Sequence, residues 1–210
     1  MKNLFSLSLI VFLILFISQL NAQIQIGPKA GLNIANVVGD DARFFDRELE
    51  SKTGFSGGIF FMYQFSNLFA IQPEVYYTMK GASLDISNVK VTFTLDYIEV
   101  PVLLKLVIPV EGSDIRPSIY AGPSIAFNTT SKIKAEADGQ SEEMDLKDDT
   151  KSTDFSLAFG GGIGFMLGAN ELGFDVRYIL GLSSIDDSSD NADVKNTVIA
   201  FNVYFGFSVQ

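Results

Sequence analysis

Eight charged residues stand in segments that otherwise alternate large apolar side chains with small or polar ones. They are Lys29, Glu74, Lys80, Glu99, Lys105, Arg116, Asp175 and Arg177. Each falls on the polar phase of its segment. Both signs of charge on one shared face allow three chemistries: a gated ion path, a carboxylate pair for acid–base work, or a salt-bridge network that fills a narrow interior. The network is the expected one, because a buried charge without a partner is very costly.

A second set is acidic. Glu142, Glu143, Asp145, Asp148 and Asp149 crowd one stretch, Asp186, Asp187, Asp190 and Asp193 another, and Asp40 and Asp41 a third. Several carboxylate oxygens could hold Ca²⁺ or Mg²⁺. The twelve-residue spacing of an EF-hand is missing, so a hydrated, mutually repelling loop surface is expected, with divalent-ion contacts at these residues as the functional alternative.

Other chemistry is excluded by composition. The 210 residues include no Cys and no His. That removes disulfides, thiolate metal sites and every mechanism built on imidazole. A formal net charge of −10 speaks against nucleic acid, whose phosphates need a basic surface. Gly160-Gly161-Gly162-Ile163-Gly164 lacks the strand–turn–helix setting and the Lys of a phosphate-binding loop. It is expected in a strand whose neighbours approach closely. Asn128-Thr129-Thr130 matches the N-glycosylation pattern but carries no functional weight here. No cofactor and no enzymatic activity are expected.

The elements that must position these residues are strands. Residues 1–22 read as a secretory signal peptide cut before Gln23, from Lys2, an apolar run from Leu4 to Ile17, and Ala22 at the cut, with an uncleaved membrane anchor as the alternative. Past Ala22, no run approaches the ~18 apolar residues of a membrane helix. Thr197, Ile199, Phe201, Val203, Phe205 and Phe207 share one face, opposite Val198, Ala200, Asn202, Tyr204, Gly206 and Ser208. That is the period of a strand with one apolar face. Similar segments cover residues 24–34, 53–64, 69–80, 91–108, 115–128, 154–167 and 172–180. In 91–108 the apolar phase shifts after Tyr97, which predicts a β-bulge near Tyr97–Ile98.

The connections run long, short, long, short, long, short, long, with loops expected over 35–52, 81–90, 129–153 and 181–196. Such sorting belongs to an up-and-down barrel in a bacterial outer membrane. The expected fold is therefore all-β: an eight-stranded antiparallel transmembrane barrel over 23–210, apolar outside and charged inside. A soluble barrel around an apolar ligand would reverse those faces. Phe55, Phe65, Phe69, Phe127, Phe155, Tyr178 and Phe207 cluster near strand ends, as interfacial girdles would and as ordinary strand composition would too. Pro28, Pro73, Pro101, Pro117 and Pro123 oppose the scheme, because proline removes a ladder donor.

Five ordered motifs carry a family resemblance. They are Gly27-Pro28-Lys29-Ala30-Gly31-Leu32-Asn33, Gln72-Pro73-Glu74-Val75-Tyr76-Tyr77 with Lys80-Gly81, Tyr97-Ile98-Glu99-Val100-Pro101-Val102-Leu103-Leu104-Lys105, Pro117-Ser118-Ile119-Tyr120-Ala121-Gly122-Pro123-Ser124, and Asp175-Val176-Arg177-Tyr178 with Gly181-Leu182. Together they resemble the PorT-type outer-membrane β-barrel proteins of Bacteroidota over nearly all of 23–208. The resemblance implies an eight-stranded barrel, with proline at positions 73, 101 and 117, and no single activity. One departure is the end, Phe207-Ser208-Val209-Gln210, where such barrels often finish on an aromatic. The expected role is structural: anchoring acidic outer loops for envelope, partner or surface contacts. A narrow porin-like channel is the alternative. The expected partners are outer-membrane lipid, lipopolysaccharide, the barrel-assembly machinery and a protein bound at the loops.

Overall fold

Period-two alternation becomes strand in each of the eight segments named above. The computed structural model describes residues 23–44, 47–188 and 192–209. The expected signal peptide, residues 1–22, lies outside the described residues. Strand β1 (Gln23–Val38) leads through a small ribbon, β2 (Arg43–Phe44) and β3 (Arg47–Glu48), to β4 (Glu50–Gln64). Then come β5 (Phe69–Ile86), β6 (Val89–Val107), β7 (Ile115–Ala137), β8 (Gln140–Asp145), β9 (Thr153–Leu167), β10 (Asn170–Gly181) and β11 (Lys195–Val209). Hydrogen-bonded neighbours follow the ring β1–β4–β5–β6–β7–β9–β10–β11, and β11 returns to β1 with Leu32 opposite Phe201. Eight antiparallel strands thus close with no free edge at the barrel wall, which removes the unpaired backbone that lipid cannot satisfy.

The faces are inverted relative to a soluble barrel. Outward positions on β1, β4 and β11 carry exposed Ile26, Leu32, Ile34, Phe55, Ile59, Phe61, Ile199, Phe201 and Val203. Their inward neighbours include buried Gln25, Lys29, Asn33, Gln64 and Asn202. Only lipid makes this arrangement favourable, since apolar surface is otherwise driven out of water. Aromatic rings pair on the outer face: Phe55 leans on Tyr77 at 6.2 Å, and Phe159 on Tyr178 at 5.3 Å. Toward the short turns Phe65 stacks on Phe69, and Phe205 meets Phe207 edge to face.

Two of the expected loops are instead strand. β5 and β6 run on past the membrane band and turn at Ser87-Asn88, so 81–90 is a hairpin. β7 continues to Ala137 and folds back through Asp138-Gly139 into β8, turning much of 129–153 into a second hairpin. Asp138 and Gly139 both have positive φ, 49° and 78°, as a two-residue turn of the twist-matching type requires. The alternation of long and short connections survives, and the described ends of β1 and β11, Gln23 and Val209, lie at the short-turn end.

The expected bulge is present, but the extra residue sits on the partner strand. Asp96 faces Thr130 and Tyr97 faces Asn128, which leaves Thr129 of β7 unpaired. Strand β6 itself keeps its phase, with Val91, Leu95, Tyr97, Glu99, Leu103 and Lys105 all buried. What changes along β6 is chemistry: its inward residues are apolar above Tyr97 and polar just below it. The prolines do not sit at that bulge. Each keeps one neighbour in register: Pro28 with Ile59, Pro73 with Val102, Pro101 with Ser124, Pro117 with Ile163 and Pro123 with Leu157. The ladder lapses for two pairs next to four of them, at Gly27–Pro28, Glu74–Val75 and Val102–Leu103.

Candidate functional site

The eight charged residues read from the sequence all enter the barrel interior, in three tiers. In the tier nearest the short turns, the Arg116 guanidinium lies 3.5 Å from Glu171 and donates to Gln64 at 2.7 Å and to Gln23 at 3.4 Å. Tyr204 donates its hydroxyl to Glu171 at 2.7 Å. Phe60, Met62, Ala70 and Tyr204 pack there as an apolar cluster.

The middle tier is the densest. Arg177 grips Glu74 through two hydrogen bonds of 2.7 and 2.8 Å. Lys29 lies 2.7 Å from Asp175 and 3.4 Å from Glu74. Asp175 also accepts from Tyr120 at 2.6 Å and from Asn202 at 2.9 Å. Gln72 donates to Glu74 at 2.7 Å and accepts from Lys105 at 3.3 Å. Among the described residues Lys105 has no carboxylate within 4.0 Å, and its ammonium rests over the Tyr204 ring at 5.1 Å.

In the third tier Lys80 is wholly buried, 2.9 Å from Glu99 and 3.5 Å from Asp154. Ser124 donates to Glu99 at 2.8 Å. Asn196 bridges Asp154 and the Tyr97 hydroxyl at 2.9 and 3.2 Å. Above it an apolar layer of Val37, Ala42, Ala82, Leu95, Tyr97, Ala126 and Ile185 closes the barrel.

Sequence reasoning leaves two of these carboxylates off the charge network. Asp154 reads as part of a polar face, and Glu171 as part of a turn. With them, cations Lys29, Lys80, Lys105, Arg116 and Arg177 face carboxylates Glu74, Glu99, Asp154, Glu171 and Asp175, five of each across the three tiers, while buried Asp96 stands apart and accepts from the Tyr77 hydroxyl at 2.6 Å. The glycine run has the role expected of it: a Cβ on Gly160 would meet the Val176 carbonyl at 2.2 Å, and one on Gly164 would meet the Glu171 carboxylate at 2.2 Å. The cavity beside Lys29, Glu74 and Arg177 holds about 10 Å³, room for one water at most.

The acidic residues divide differently. Glu142, Glu143 and Asp145 are strung along exposed β8, where Glu143 pairs with Lys132 at 2.6 Å. Asp148 and Asp149 occupy a single 3₁₀ turn, Lys147–Asp149. The Asp187 amide donates to the Asp149 carbonyl at 2.9 Å, and Thr150 bridges to Asp186, so the second acidic stretch lies against that turn. Asp190 lies outside the described residues. Among the described residues, no three acidic groups converge as metal ligands would.

An inverted barrel of eight strands, apolar toward lipid and charged within, defines an outer-membrane β-barrel. The chain belongs to the outer membrane protein β-barrel domain family, whose model matches residues 17–187. It resides in the bacterial outer membrane. None of the curated proteins compared with it matches. Among solved structures it is similar to the outer membrane protein OprG from Pseudomonas aeruginosa, at 13% identity and a TM-score of 0.54, over 90% of this chain and 95% of that one. Neisserial surface protein A is similar at 15% identity and 0.49, over 87% and 97%. The attachment invasion locus protein Ail of Yersinia pestis is similar at 19% identity and 0.41, over 87% and 98%.

Proposed function

We propose that this barrel is an anchor, holding structured acidic outer loops for contact with the envelope, a protein partner or a surface, and that it is not an enzyme. The observation that carries this is the division of labour along the axis. Buried charge and apolar clusters fill the interior, while the β7–β8 hairpin and the acidic turns stand outside it, largely exposed. A narrow channel is the weaker reading, because the Arg177–Glu74 and Lys29–Asp175 ion pairs cross the bore in the middle tier. The outward apolar band would meet lipid, the outer loops would meet lipopolysaccharide, and insertion would need the barrel-assembly machinery. The narrower kinship we propose is with PorT-type barrels, supported by the five ordered motifs.

Site-specific photocrosslinkers at Glu142 and Asp148 in intact cells test the anchor. A discrete adduct is expected at one of them, and it should weaken when the neighbouring acidic side chains are neutralised by Glu143→Gln with Asp145→Asn while the barrel stays folded. The absence of adducts at every outer-loop position would overturn the proposal.

A further inference from the structure

The hairpin that β7 and β8 make above the barrel leaves one strand edge open. β8 ends the sheet order, and no other strand lies along its far side among the described residues. All 6 of its residues are exposed. The turn at Asp138-Gly139 fixes its upper end, and the Leu146 amide, donating to the Ser131 carbonyl at 2.9 Å, fixes its lower one. In a two-residue hairpin the flanking pair, here Ala137 and Gln140, exchanges both hydrogen bonds. Alternation then turns the N–H and C=O of Ser141, Glu143 and Asp145 away from β7. The edge is formed before any ligand arrives, which spares the cost of ordering a loop on binding.

The two faces of this sheet dictate what fits beside β8. On one face an apolar row crosses the strands, with Ala82 opposite Phe93, Phe93 opposite Ile133 and Ile133 opposite Met144. The row stops at Met144, which is 65% exposed, with no strand beyond it among the described residues. On the other face each acid of β8 follows a lysine of β7. Lys132 stands opposite Asp145, and Lys134 opposite Glu143. Lys132 also pairs with Glu143 at 2.6 Å. The next strand out would meet those acids, and directly opposed side chains attract when their charges differ and repel when they match. A second copy of β8 is a poor match, because it would set Glu142, Glu143 and Asp145 against the same acids.

We infer that β8 is a docking edge for an extended segment of a partner protein, which adds antiparallel as one more strand. Lys or Arg of that segment faces Glu143 and Asp145, and an apolar side chain between them faces Met144. Main-chain hydrogen bonds to Ser141, Glu143 and Asp145 hold the segment, while its alternating side chains select it. This rests on the anchoring reading and narrows its protein partner to one edge and one sequence pattern.

The probe is a synthetic peptide, Thr-Lys-Ile-Lys-Val-Lys-Thr, titrated into the full chain in lipid nanodiscs. Amide exchange at Ser141 and Glu143 is expected to slow about tenfold at saturation, while the Glu142 and Met144 amides, which face β7, change little. Three further peptides separate backbone, order and charge. One is N-methylated at its lysine amides, one has the order Lys-Lys-Lys-Thr-Ile-Val-Thr, and one carries Glu for each Lys. Each is expected to bind at least about fivefold more weakly. Glu143→Pro removes an outward N–H and should abolish the slowing at Ser141; heat-modifiable gel migration reports its folding, and the N-methylated peptide makes the same test on the unaltered chain. No slowing at Ser141 and Glu143, full binding of the N-methylated or reordered peptide, or pairing of two barrels through β8 would each overturn the inference. In that event a Glu142 adduct in cells that survives Glu143→Pro leaves the anchor standing, whereas no adduct at any outer-loop position removes the anchor as well.

Discussion

Arg177 and Glu74 form a bidentate pair although 103 positions separate them in sequence. Their strands, β10 and β5, stand four steps apart in either direction round the ring of eight, so the pair spans a full diameter. Asn196 of β11 and Tyr97 of β6 do the same one tier higher. The barrel is thus braced across its bore by polar struts and not merely lined with charge.

Breaking the strut on one side should be severe. Glu74→Ala leaves Arg177 buried without its main counter-charge and is expected to destabilise the barrel by about 3–5 kcal/mol. Replacing both partners, Glu74→Leu with Arg177→Met, should cost far less, since an apolar pair of similar volume strands no charge. Urea titration of the barrel folded in vesicles compares the two.

Charge on the outer face should cost energy according to depth. Val176 is 48% exposed in the middle of the apolar band, and Val176→Arg is expected to cost about 2–4 kcal/mol. Val209→Arg, at the rim, should cost about 0–1 kcal/mol. The same vesicle titration reads both, and equal costs would contradict a lipid-facing band.

The intact barrel should not conduct. Planar-bilayer recordings are expected to show no steps above background. Alanine at Glu74, Arg177 and Tyr120 together removes the middle struts and should let current appear, if the variant folds.

The β7–β8 hairpin should loosen in acid before the barrel does. The Lys134 ammonium bonded to Glu136 holds that carboxyl below its ordinary value near 4.5, and the Glu143 carboxylate bonded to Lys132 raises that ammonium. A depressed carboxyl contributes above its unfolded value, and the contribution fades as pH falls through the folded one. The protection of amides at 132–145, taken relative to the intrinsic exchange rate at each pH, is therefore expected to fall as pH drops below about 4.5, while barrel amides stay protected.

The sequence carried the barrel itself because lipid on one side and charge on the other enforce strict alternation. Thr197 through Ser208 could be assigned residue by residue for that reason. The outer hairpins were harder, because above the membrane neither face must be apolar. Even so, Ile133, Ala135 and Ala137 alternate with Lys132, Lys134 and Glu136, and Asp138-Gly139 is a strong hairpin signal that could have found them. The apparent phase shift in β6 misled about where the extra residue lies: apolar residues change sides there because the interior changes from charged tier to apolar lid, while the strand runs straight. The apolar layer that closes the barrel had no signature at all: Val37, Leu95 and Ile185 are far apart in the chain and meet only through the closure of the ring.

The alternation of faces also bears on how the chain travels. A helical segment apolar enough for the outer bilayer would be retained by the first membrane it met. Here each spanning strand alternates lipid-facing with interior-facing side chains, and the lipid-facing ones gather into a continuous surface only after all eight strands have paired. Before that, the strands from Gln23 onward offer the inner membrane no continuous apolar segment to stop at. Its hydrophobic face exists only as a property of the finished ring, so its destination is set by when it folds as much as by what it is made of.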